Sequence, residues 1–142
     1  MSEPPRSAYQ LPAPSPEYSP GAVVELVMAA LSENDTPFPD AGLRVAYHFS
    51  SPAQQRASGT FEQFCELVRN PIYEPLLNHR AATFSETKRR GGAARRAALL
   101  IAEDGKRVGF VVSLSQQEDG PYEDCWMTDS VRRVGIKGRG RS

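Results

Sequence analysis

An Asp-Gly pair at positions 104–105 interrupts the apolar stretch from Ala97 to Leu114, and no other local feature restricts the fold of this chain so tightly. Flanked by alternating apolar residues, such a pair is the strongest short-range signal for a β-hairpin, because both residues tolerate the positive φ of a type I′ turn. A two-residue turn pairs Glu103 with Lys106. Ile101, Leu99 and Ala97 then lie opposite Val108, Phe110 and Val112 as one apolar stripe. Side chains alternate along a strand, so a slip of one residue would carry the whole stripe to the other face.

Around this hairpin the period-two pattern continues. The segment from Ala82 to Lys88, centred on Phe84, reads as an earlier strand, followed by a loop Arg89-Arg90-Gly91-Gly92. Glu118-Asp119-Gly120-Pro121 reads as a turn, and a final strand is expected from about Tyr122 to Val134.

The amino-terminal half has helical spacing instead. Ser19 as N-cap with Pro20 at the first position opens a helix carrying Val24, Val27, Met28 and Leu31, and Ser32 to Asp35 closes it ahead of Pro37 and Pro39. Between Leu43 and Phe49 the pattern fits a strand and a short helix equally well, and Ser50-Ser51-Pro52 ends whichever forms. Thr60 and Gln63 have the spacing of a capping box, with Phe61, Phe64, Cys65 and Val68 as the apolar face behind it. Asn70-Pro71 stops that helix, and the segment from Ile72 to Leu77 follows as a compact connection against the core. Helices first and an antiparallel meander after them define an α+β class, with N-terminal helices packed on a curved antiparallel four-stranded sheet.

With 142 residues, 39% hydrophobic, the chain has material for one core. Six prolines fall in the first twenty residues, so 1–18 is read as a disordered Pro-rich arm, 19–134 as the domain, and 135–142 as a basic Gly/Arg tail. No membrane association is expected, since no apolar run approaches the ~20 residues of a span, and no secretory leader is read at the amino terminus. Two cysteines are too few for a disulfide framework and suit a reducing, cytoplasmic setting. Seventeen basic residues balance seventeen acidic ones, yet residues 1–80 hold five basic against nine acidic, and 81–142 hold twelve against eight.

The order and spacing of Asn34-Asp35, Ser50-Ser51-Pro52, Gly59 with Phe64 five residues on, the run from Asn70-Pro71 to Leu76-Leu77, the hairpin, and Trp126 followed by Ser130-Val131 resembles domain-of-unknown-function family 4864. The resemblance covers roughly Ser19 to Val134 and departs from the family pattern at Thr60, where proline is usual, and at Ser51, where alanine is. It implies a nuclear transport factor two-like cone of three helices, 43–49 among them, wrapped by a bent sheet. Such cones serve as ligand binders, isomerase-type or dehydratase-type enzymes and dimeric modules, so the fold does not choose among them.

A cone would draw its pocket lining from Phe64, Leu99, Phe110 and Met127, suited to a small apolar ligand. Along the last strand Cys125, Met127, Asp129 and Val131 share one face, and Trp126, Thr128, Ser130 and Arg132 the other. With the first set inward, Asp129 becomes a desolvated carboxyl able to act as acid or base; with a bulge, or with Trp126 inward, it is solvated. His48 and Tyr47 are the other candidate proton-transfer pair. Arg89, Arg90, Arg95 and Arg96 form a basic patch that could meet nucleic acid, or could simply guard a strand edge. His48, His79, Cys65 and Cys125 lack ligand spacing, so no metal and no cofactor is expected. The reading is a non-catalytic ligand-binding or interaction module, dimerising through the outer sheet face on the strength of Trp126. Its rivals are a cofactor-free isomerase or dehydratase and an RNA-binding domain.

Overall fold

The computed structural model describes residues 11–136, so Lys137, Arg139, Arg141 and the first prolines lie outside the described residues. Helix α1 (Pro20–Ser32) starts as its cap chemistry requires: the Ser19 hydroxyl accepts a hydrogen bond from the Ala22 amide at 3.1 Å. Its buried face is Val23, Val24, Val27, Met28 and Leu31. Leu11 and Tyr18, within the segment read as an arm, pack against the core, Tyr18 with its ring 6.2 Å from that of Phe49.

The ambiguous segment is helix α2 (Ala41–His48). Gly42 lets it cross α1 closely, since a Cβ there would fall 2.3 Å from the Ala30 carbonyl oxygen. Ser50-Ser51-Pro52 ends α2 and also begins α3 (Pro52–Ser58), with Ser51 capping the Gln54 amide at 3.2 Å. The family resemblance implied three helices, and α3 makes four α-helices among the described residues. The motif that starts it, Ser-Pro, is the one that starts α1. Helix α4 (Phe61–Val68) carries the expected capping box, Thr60 amide to Gln63 Oε1 at 2.8 Å and Gln63 amide to Thr60 Oγ1 at 3.2 Å.

The helices pack on a curved, open antiparallel sheet whose strand order is β1-β3-β4-β5, with β2 also paired to β3. These are β1 (Ala81–Phe84), β2 (Lys88–Arg90), β3 (Ala93–Ile101), β4 (Arg107–Gln116) and β5 (Trp126–Val134). The described residues therefore hold five strands, where four were expected. The single strand read over 82–88 breaks after Phe84, where Ser85 turns its hydroxyl onto the Ala97 amide at 2.9 Å. Pairing resumes at Lys88, so Arg89 and Arg90 belong to a strand and only Gly91-Gly92 remain as the turn. Strand β5 begins at Trp126 rather than Tyr122.

The hairpin forms in a register one residue away from the expected one. Leu100 lies opposite Val108, Ala98 opposite Phe110 and Arg96 opposite Val112. The turn is the cause. Ala102 donates to the Lys106 carbonyl and Gly105 to the Ala102 carbonyl, both at 2.8 Å, and Gly105 has φ of 90° while Asp104 does not take a positive φ. Glu103-Asp104-Gly105 is thus a three-residue loop, a type I turn closed by a left-handed glycine, not the type I′ pair. Ala94, Ala98 and Leu100 consequently point into the core, and Ala97, Leu99 and Ile101 point away from it.

A second irregularity sits in β5. Ser130 pairs with Ser113 and Thr128 with Leu114, which leaves Asp129 as the extra residue of a β-bulge. The bulge resets the alternation, so that Trp126, Thr128 and Val131 lie opposite the core residues of β4 or beside them. Trp126 is 3% exposed and belongs to the core, so the expected outer-face position is overturned. The free side of β5 is covered: Thr128 donates to the Phe49 carbonyl and Ser51 to the Thr128 carbonyl, both at 2.8 Å.

Candidate functional site

An open groove of about 880 Å³ runs along β2 and across β3 and β4 and gathers charged side chains. Lys88, Arg89, Arg90, Arg95, Ser113 and Asp129 are among its lining. Register explains the gathering: Lys88 lies opposite Arg95, and Arg95 opposite Ser113, so one row crosses three strands. Lys88, Arg89, Arg90 and Arg95 have no ion-pair partner among the described residues. Arg89 instead rests its guanidinium 4.9 Å from the Trp126 ring centroid and donates from Nε to the Gly91 carbonyl at 3.2 Å. Asp129 also lines the groove, half-buried, and accepts from Ser115 Oγ at 3.0 Å. Sequence reasoning singled out Asp129 and these arginines for different roles. The bulge and β2 bring them into one place.

Arg96 does not join them. It reaches the opposite way, donating to Ser85 and Gly21 carbonyls and pairing with Glu25 at 2.6 Å, its guanidinium over the Phe84 ring. No aromatic side chain lines the groove, so stacking of nucleic-acid bases has no platform in it.

Tyr47 and His48 also part company. Tyr47 donates its hydroxyl to the Gly59 carbonyl at 2.7 Å, with its ring against Phe61 and Phe64. His48 Nε2 meets the Tyr122 hydroxyl at 2.9 Å, tying α2 to the β4–β5 loop. The four expected pocket residues share no cavity. Phe110 is fully buried in the core and Leu99 lies on the outward face, while Met127 is fully buried opposite Ser115, on the side away from Leu114. Phe64 alone lines the interior hollow between helices and sheet, which has only about 60 Å³. That is room for one or two waters, far from the ~300 Å³ at which ligand pockets begin.

The perturbed titratable groups sit elsewhere and are structural. Burial opposes charge on Asp40, but hydrogen bonds from Arg69 and Asn34 outweigh it and hold the carboxyl below its usual range. Burial pushes the Cys65 and Cys125 thiols upward, the opposite of an activated nucleophile. Burial lowers the His79 imidazole, against the Leu76 carbonyl that its Nδ1–H bonds at 2.8 Å. No group of three or more His, Cys, Asp or Glu positioned for a metal occurs among the described residues, and no described helix is long and apolar enough to cross a membrane.

The helices-on-open-sheet arrangement defines an α+β domain whose interior hollow, among the described residues, is only about 60 Å³. Residues 19–138 match the family described as a domain of unknown function (DUF4864), and the chain belongs to that family. No curated protein matches it, and no solved structure does.

Proposed function

We propose that the domain is a non-catalytic binding module whose contact surface is the groove along β2, and that its partner is acidic. The observation that carries this reading is the row of basic side chains without carboxylate partners, Lys88, Arg90 and Arg95, gathered in one groove while the interior is nearly filled. Unpaired surface cations cost little by themselves, but several focused in one concavity raise the local concentration of anionic groups and steer them in. Glu86 and Asp129 also line the groove, so a ligand's negative charge has to lie against Lys88, Arg90 and Arg95 and away from these two carboxylates. The helix layer on a bent sheet suits a nuclear transport factor two-like cone, used here as a scaffold, and two buried free thiols suit a cytoplasmic setting.

The isomerase or dehydratase reading needs a titratable group facing an open interior. Asp129 lines the groove and His48 is engaged with Tyr122, which argues against it.

The only tryptophan lies beneath Arg89, which supplies the probe. Poly-glutamate titrated into the protein at low salt should change Trp126 emission saturably, and the Arg90→Ala/Arg95→Ala double variant should weaken the response at least tenfold. An unresponsive wild-type protein would sink the reading.

A further inference from the structure

The groove ends beside its electrostatic opposite. The β4–β5 loop carries Glu118, Asp119, Glu123 and Asp124, all exposed. Two contacts fix it at the same end of the sheet as the β2–β3 turn: the Gln116 amide donates to the Gly92 carbonyl at 2.9 Å, and Gln116 Nε2 to the Asp124 carbonyl at 3.2 Å. The loop is itself held in shape, by Gln117 and Asp124 exchanging backbone hydrogen bonds with Cys125 and Gln117 at 2.9 and 2.8 Å, and by Tyr122 on His48. Four carboxylates and four cations thus stand on neighbouring elements, yet none of the eight forms an ion pair among the described residues.

A surface with adjoining patches of opposite sign is self-complementary under a two-fold axis, since a half-turn sets each patch on the other. We infer that the acidic partner of the groove is a second copy of this chain, joined as a symmetric dimer in which the loop 118–124 of each protomer lies along β2 of the other. This rests on the groove being the binding surface, and names its occupant. Charge pairs at the rim of such a contact govern association and salt dependence.

Sedimentation velocity at about 100 µM protein and low salt should show a dimer, converting to monomer near 1 M salt, where screening acts within about 3 Å. Lys88→Glu/Arg90→Glu should be monomeric, and so should Glu118→Arg/Asp119→Arg, each raising the dissociation constant at least tenfold. An equal mixture of the two variants should dimerise, and one chain carrying all four changes should recover the homodimer. That recovery separates charge matching from misfolding. A monomeric wild type, or a dimer that survives both reversals, overturns the proposal. Poly-glutamate titrated into Glu118→Arg/Asp119→Arg tests the groove separately, because that variant keeps its basic strand whether or not the wild type dimerises.

Discussion

The guanidinium of Arg89 lies 4.9 Å from the centre of the Trp126 ring, on a strand that is separated from β5 by both β3 and β4. The inward residue of β3 opposite Arg89 is small, Ala94. A long side chain from the edge can therefore reach across and cover the indole.

Removing that cover has a defined cost. Arg89→Ala should lower stability by about 0.5–1 kcal/mol, the range for an exposed cation–π contact, and shift Trp126 emission to longer wavelength as water reaches the ring. Urea unfolding followed by tryptophan fluorescence measures both. An unchanged emission maximum would mean that Arg89 does not shield the ring.

Gly105 holds the hairpin in its observed register through a positive φ that an L side chain adopts only under strain. Gly105→Ala should destabilise by more than about 1 kcal/mol. Asp104→Ala should cost less, losing only the acceptor for the Lys106 amide at 3.0 Å. Paired urea melts would settle the order; equal losses would argue for a type I′ turn in solution.

This turn also marks where the sequence stops being legible. Elements set by local chemistry are readable from it, the Ser19-Pro20 start and the Thr60 capping box above all, because their partners lie three residues away. Asp104-Gly105 announces a hairpin equally well but serves both two-residue and three-residue loops, and the choice decides which face of β3 is buried. The bulge at Asp129 is set by pairing with β4 and by the cover from Phe49 and Ser51, neither encoded nearby, and it moves Trp126 inward. The groove follows from both events. Its basic residues stand out in the sequence, but their meeting with Asp129 does not.

Asn34 is 2% exposed and almost fully engaged. Its Oδ1 accepts from the Leu43 amide at 2.9 Å, its Nδ2 donates to Asp40 at 2.9 Å, and its backbone carbonyl takes the Gly42 amide at 2.8 Å. Asn34→Ala should therefore cost about 1–3 kcal/mol, the range for leaving a buried donor without a partner. Asn34→Asp should restore the Leu43 bond but place a second carboxylate against Asp40, leaving it less stable than wild type at neutral pH and recovering partly in acid. Thermal melts at two pH values test this.

His79 gives a pH dependence whose sign follows from burial. Its folded-state pKa is depressed, so below the unfolded value of about 6.5 the unfolded chain takes up a proton that the folded chain refuses. Stability should be full above that pH and fall as pH drops toward the folded pKa. His79→Gln should flatten this part of the curve. If the variant keeps the wild-type slope below about pH 6.5, another group is responsible.

The pairing of Phe49 and Ser51 with Thr128 gives the sheet a closed side and an open one. Exposed strand edges are the routes by which unrelated molecules stack into insoluble aggregates, and the open side here ends in three consecutive cations, Lys88, Arg89 and Arg90. Two such edges repel. The three cations thus oppose the indiscriminate lateral growth that an open sheet would otherwise invite, and two of them, Lys88 and Arg90, belong to the row proposed to meet carboxylates.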